Sequence, residues 1–176
     1  PNSSDKLEVP RASEEDTWDW ICKDFDTAIS FLPATSLMSG LPNKYAALAF
    51  KAEAMLYAGS VAKYNETVTG RLTGFGDKIG FSPDTYRDAY IRYFSEAYKA
   101  AREVMESGRY SLYKKKWAAG DSEAMYQNMI DMFSDLSSPE NILVKEYLYP
   151  SLTHGLDAYS SPFIFRDPLC SGSCPS

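Results

Sequence analysis

Between Ser13 and Leu32 the apolar residues recur at intervals of three and four. Trp18, Ile21, Cys22, Phe25, Ala28, Ile29 and Leu32 share one face, while Glu14, Glu15, Asp16, Asp19, Lys23, Asp24 and Asp26 fall off it. That period is the signature of an amphipathic helix. Ser13 supplies an N-cap oxygen, the acidic first turn suits the positive end of the helix dipole, and Pro33 ends the run. The pattern therefore predicts a helix over about 13–32. A second helix is expected over about 43–64, entered through Pro42. It is crowded with small residues (Ala46, Ala47, Ala49, Ala52, Ala54, Ala58, Gly59), which let a neighbouring helix approach closely.

A glycine-rich segment follows, from Thr67 to Pro83, with Gly70, Gly74, Gly76 and Gly80. No strand pattern precedes it and its spacing is wrong for a phosphate-cradling loop, so it reads as an inserted surface loop. The longest helix is expected over about 84–107, with Gly108 as its C-terminal stop. Its apolar line is Tyr86, Tyr90, Phe94, Ala97, Ala101 and Val104, broadened by Tyr93 and Tyr98. A shorter helix is expected over about 121–136, with Met125, Met129, Ile130, Met132 and Phe133 as its apolar positions. From Glu140 to Tyr149 the pattern turns strand-like. After Pro150 the chain is rich in Ser, Pro and Gly and loses any period. The fold class is thus mostly all-α, with helix pairs like those of tetratricopeptide repeats, irregular loops and one short strand-like segment.

Composition narrows the function. Hydrophobic residues make up 44% and charged residues 24%, an ordinary globular balance that argues against disorder. The net charge of −6 disfavours a nucleic-acid partner, which needs a basic face. The one basic run, Lys114-Lys115-Lys116, reads as dipole-compensating or solvated lysines near a helix end. No apolar stretch reaches the ~20 residues of a membrane span. Cys22, on an apolar helix face, reads as a buried thiol. Cys170 and Cys174 share a Cys-Ser-Gly-Ser-Cys turn, which leaves open either a local disulfide, suited to an oxidising compartment, or two free thiols where the loop geometry forbids the bond. The single histidine, His154, is not spaced with them as a metal ligand, so no metal or other cofactor is expected. There is no Gly-x-Ser-x-Gly elbow, no His-Glu-x-x-His and no cysteine–histidine motif. The acidic residues lie mostly on solvated helix faces. Catalysis is therefore not expected, and the chain reads as a binding protein.

Four strings, in order, resemble the SusD/RagB family over about residues 10–150. The Asp16-to-Pro33 helix is similar to the family's opening helix. Leu41-Pro42-Asn43-Lys44-Tyr45-Ala46-Ala47-Leu48-Ala49-Phe50-Lys51-Ala52-Glu53-Ala54-Met55-Leu56-Tyr57-Ala58-Gly59-Ser60 resembles its Ala-rich helix with the Leu-Tyr-Ala-Gly ending. Ala97 to Tyr113, leaving through Ser107-Gly108-Arg109-Tyr110, looks like its next helix and exit. Pro139-Glu140-Asn141-Ile142-Leu143-Val144-Lys145-Glu146-Tyr147 is similar to its asparagine-to-strand segment. The resemblance implies a lipid-anchored protein on the outer-membrane surface of a Gram-negative bacterium. Such proteins bind glycans, or sometimes peptides, and act as a lid on a SusC-like TonB-dependent transporter. It also implies a single partial domain over 1–176, a central portion whose lipid-attachment cysteine and terminal parts lie elsewhere in a longer protein.

Aromatics outside the helical faces are the candidates for holding a sugar. The 25 aromatic residues comprise 13 Tyr, 9 Phe and 3 Trp, enough to serve both a core and a ligand surface. Trp117, in a connector after the lysine run, is one candidate. Tyr149, His154 and Tyr159 cluster in the loop-rich segment with Phe163, Phe165, Asp157 and Arg166 and are the others. The rival reading is a helical-repeat adaptor that binds other proteins through a concave face.

Overall fold

The computed structural model describes residues 12–38, 40–64, 81, 84–135 and 137–145, and among them it is all α-helix, turn and connector. Four helices follow in chain order: α1 (Glu14–Phe31), α2 (Lys44–Tyr64), α3 (Tyr86–Glu106) and α4 (Ser122–Ser134). All lie within the compact unit Pro1–Leu143, and Val144–Ser176 forms a second. The glycine-rich segment, apart from Phe81, lies outside the described residues. So do Cys170, Cys174 and the loop-rich stretch after Pro150.

The helix ends obey local chemistry. The Ser13 hydroxyl accepts from the Asp16 backbone N–H at 3.0 Å, which caps α1, and Leu32 closes it before Pro33. Asn43 does the same for α2: its Oδ1 accepts from the Ala46 N–H at 2.8 Å. Asp121 caps α4 through the Ala124 N–H at 3.0 Å. Gly108, at φ +65°, takes the left-handed turn that ends α3.

Helix α2 is central, packing most extensively on α3 and next on α1. Its small residues make that closeness feasible. Met55, Ala58 and Ala62 join Ala89, Tyr93 and Ala97 of α3 and Phe81 in one buried cluster, flanked by Trp18, Ile21 and Cys22 of α1. Tyr93 is fully buried, worth about 1.5–3 kcal/mol for its ring. Its hydroxyl stays satisfied by donating its one proton to Asp19 Oδ1 at 2.7 Å, with the Glu15 carbonyl a second, more distant acceptor at 3.2 Å. Arg92 reinforces this α1–α3 tie through ion pairs with Asp19 and Glu15.

The buried line of α3 is Ala89, Tyr93, Ala97 and Ala100, one position round from the line the spacing favours. Tyr86, Tyr90 and Phe94 are only half-buried, and Tyr98 is exposed rather than part of the packed face. The reason is the width of the pattern. Two adjacent apolar stripes run along α3; Ala-rich α2 buries the one bearing small residues and a single tyrosine, while Phe94 lies against Gly59 and Tyr86 and Tyr90 pack at the cluster's edge. On α4 the expectation also fails in part: Met129, Ile130 and Phe133 are exposed, and the buried residue is the polar Asn128. Residues 140–145 form turns and bends instead of the strand-like continuation. A strand needs a neighbour to pair with, and there is none among the described residues. The rest of that segment, 146–149, lies outside them.

Candidate functional site

The buried arc of α2 is broad, running over Ala46, Ala47, Leu48, Lys51, Met55, Ala58, Gly59 and Ala62. What it leaves outward includes three aromatics beside Glu53, Leu56, Ser60 and Lys63. Phe50, Tyr57 and Tyr64 recur every seven residues, so they drift by only ~20° per step and share one edge of the helix. They are 51%, 62% and 61% exposed. The line spans roughly 21 Å at 1.5 Å per residue. Trp18 of α1 flanks its middle, with its ring centroid 5.7 Å from that of Tyr57 at a tilt of 51°.

At the Phe50 end the line opens into a cleft of about 290 Å³. One wall is α2, through Ala46, Ala49, Phe50 and Glu53; the other is the turn from Glu140 to Leu143. That turn is held from beneath. The Ser111 N–H donates to the Pro139 carbonyl at 3.2 Å, and the Tyr113 N–H donates to Glu140 Oε1 at 2.6 Å. The Asn141 N–H donates to the Ser138 carbonyl at 3.1 Å. The side chains of Glu53 and Asn141, by contrast, have no hydrogen bond or ion pair among the described residues. An aromatic ring, a carboxylate and a carboxamide thus face one open cleft with their polar capacity unspent. That is the chemistry of a site for a hydroxylated, partly apolar ligand.

A second depression, of about 360 Å³, lies between Tyr45 and the C-terminal half of α3. Its charges are already used. Lys44 pairs with Glu103 at 2.6 Å, Arg102 with Glu106 at 2.6 Å, and Lys99 with Glu96 at 2.8 Å. It offers a ligand less.

Trp117 lies in the connector between α3 and α4, half-exposed, with the Lys114 ammonium 5.5 Å from its ring centroid. The connector is pinned by Asn128, whose Oδ1 accepts from the Lys116 N–H at 3.0 Å and whose Nδ2 donates to the Tyr113 carbonyl at 2.9 Å. The neighbouring lysines are engaged with α4 and the turn after it: Lys115 with Asp135 at 2.6 Å, Lys116 with Asp131 at 2.7 Å. The Lys115 hydrogen bond, with those from Ser137, holds the Asp135 carboxyl well below the usual carboxylate range. The three lysines lie in the connector past the end of α3, all exposed to solvent, and two of them reach the C-terminal end of α4. Tyr149, His154 and Tyr159 lie outside the described residues, as do Asp157, Phe163, Phe165 and Arg166.

Cys22 is half-buried, and burial pushes its thiol above the ordinary value, with nearby Lys51 opposing. Among the described residues no group of three or more His, Cys, Asp or Glu side chains could hold a metal ion. No described helix is long and apolar enough to cross a membrane.

The sequence reading passed over Phe50, Glu53 and Asn141. The seven-residue recurrence of Phe50, Tyr57 and Tyr64 was visible in it, but small residues on every side of α2 hid which face packs. Asn141 lies about 90 residues from Phe50 in the chain, and no local spacing brings it to the opposite wall of the same cleft. Comparison with family models, with curated proteins and with solved structures finds no match to this chain.

Proposed function

We propose that this chain is the helical portion of a non-catalytic glycan-binding protein on the outer-membrane surface, tethered by a lipid anchor elsewhere in the protein. In this reading it passes an oligo- or polysaccharide to a SusC-like TonB-dependent transporter. The observation that carries the binding part is the exposed aromatic line on α2, ending in a cleft with a free carboxylate and carboxamide. A pyranose ring presents an apolar face of C–H groups, which stacks on an aromatic ring, and a rim of hydroxyls, which bond to carboxylates and amides. A line of rings about 21 Å long suits an extended chain of sugars better than one small molecule. Localisation and transporter rest on the four strings similar to the SusD/RagB family.

A second reading, a helical adaptor for another protein, is favoured by one feature. Ile91, Tyr98 and Met105 of α3 recur every seven residues and are 59%, 63% and 79% exposed. Such a stripe suits a partner helix.

Electrophoresis of the chain in gels cast with a panel of polysaccharides separates the two. Capture predicts retardation by at least one polymer, weakened by Phe50→Ala; Trp117→Ala and Tyr149→Ala test the two other candidates, each by itself. Retardation by none, together with a defined oligomer or protein complex lost on Tyr98→Glu, would favour the adaptor.

A further inference from the structure

We infer that the Phe50 cleft selects uncharged sugar units and rejects acidic ones, an inference that rests on the glycan-capture reading. Its polar lining comes from Glu53 and Glu140 on opposite walls, with Asn141 beside Glu140. Neither lysine nor arginine is among its described lining residues. Glu53 has no cationic partner among the described residues. Glu140 spends one oxygen on the Tyr113 N–H at 2.6 Å, which neutralises no charge. The Glu53 carboxylate therefore stands unpaired in the cleft lining, and Glu140 adds a second acidic side chain to it.

A hydroxyl donates to a carboxylate, so a neutral hexose or pentose gains charge-assisted hydrogen bonds while its C–H face covers Phe50. A uronate or sulfate placed in the same pose brings a like charge beside the unpaired Glu53 carboxylate, with Glu140 on the opposite wall. Acidic units lose both the hydrogen bonds and the Coulomb balance. The chain's net charge of −6 adds a longer-range repulsion of the same sign. Specificity here is a rejection, not a tighter grip on one sugar.

Isothermal titration of the full chain tests this with neutral gluco-, manno- and xylo-oligosaccharides against oligogalacturonate of matched length. Binding of at least one neutral ligand, and about tenfold weaker binding or none for the uronate, is expected. Glu53→Gln keeps the hydrogen-bonding shape and removes one charge, so it should narrow that ratio by about threefold or more; higher salt should narrow it too. Phe50→Ala, an exposed position, should fold normally by circular dichroism and lose most of the neutral affinity. Uronate binding as tight as neutral binding, or a ratio unmoved by Glu53→Gln, overturns the inference and leaves capture standing. Neutral binding that Phe50→Ala leaves intact removes it from this cleft. No binding of any glycan overturns the capture reading and this inference with it.

Discussion

Lys51 of α2 reaches Glu96 of α3, with Nζ 2.8 Å from Oε2, and the same ammonium lies 2.7 Å from Asp26 Oδ1 of α1. The lysine side chain is only 6% exposed. Burial alone would lower its pKa, but the hydrogen bonds to Asp26 and Glu96 outweigh burial and raise it well above the ordinary lysine value. One charge thus ties three helices together, on the side of α2 turned away from the aromatic line. Lys51→Ala should cost about 2–4 kcal/mol, since it takes from Glu96 one of its two cationic partners and empties the space of the stem. Lys51→Met keeps the packed stem and should cost less. Urea denaturation at neutral pH gives both values.

The same contact sets an acid sensitivity. Hydrogen bonds from Lys51, and then Lys99, hold the Glu96 carboxyl below its ordinary value. The folded state is therefore favoured while Glu96 is ionised. Its contribution is whole above the ordinary carboxylate value of about 4.3 and fades as pH falls through the lower folded value. Glu96→Gln should be the less stable protein at pH 6, with the gap closing toward pH 3. Denaturation midpoints for both proteins across that range measure it; a gap independent of pH would refute the assignment.

Gly59 is set against an aromatic ring. A Cβ added there would sit 2.7 Å from Phe94 Cδ1 and 2.8 Å from Cε1. Alanine is the better helix former by about 1 kcal/mol, but the forced overlap costs about 1–3 kcal/mol. Gly59→Ala should therefore lower the melting temperature by a few degrees. In a Phe94→Leu background, which removes the ring, the same change should be neutral or stabilising.

Much of the fold was legible in the chain. Ser13, Pro33, Pro42, Gly108 and the three- and four-residue spacings mark where α1 to α4 begin and end to within about two residues, because capping and burial period are local. Which face packs is not local. The choice between the Tyr90–Phe94 stripe and the Ala89–Tyr93 stripe of α3 depends on what α2 presents. The exposure of Met129 and Phe133 depends on α4 touching the rest mainly through its connector. The cleft was the least legible part, since it joins Phe50 and Glu53 to Asn141 across most of the unit's sequence. Trp117, singled out because it falls outside a helical face, is half-exposed in a connector as that reasoning required.

Asn128 is the fastening of that connector. It is buried and bonded to two backbone groups, so Asn128→Ala leaves the Lys116 N–H and the Tyr113 carbonyl without it, at about 1–3 kcal/mol. Hydrogen exchange at Lys116 should speed up, and Trp117 fluorescence should shift toward that of a fully hydrated indole. If Trp117 contributes to glycan capture, affinity falls as well, because the ring is no longer held in place.

The central claim is that the outward face of α2 is where sugar binds. Chemical-shift mapping on the isotope-labelled chain, titrated with neutral gluco-, manno- and xylo-oligosaccharides, tests it most directly. The account predicts that for at least one of them the largest changes fall on the Phe50 and Tyr57 rings, the Glu53 amide and the Asn141 side-chain amide. No perturbation by any of the three, or changes confined to the Ile91–Tyr98–Met105 stripe of α3, would contradict it.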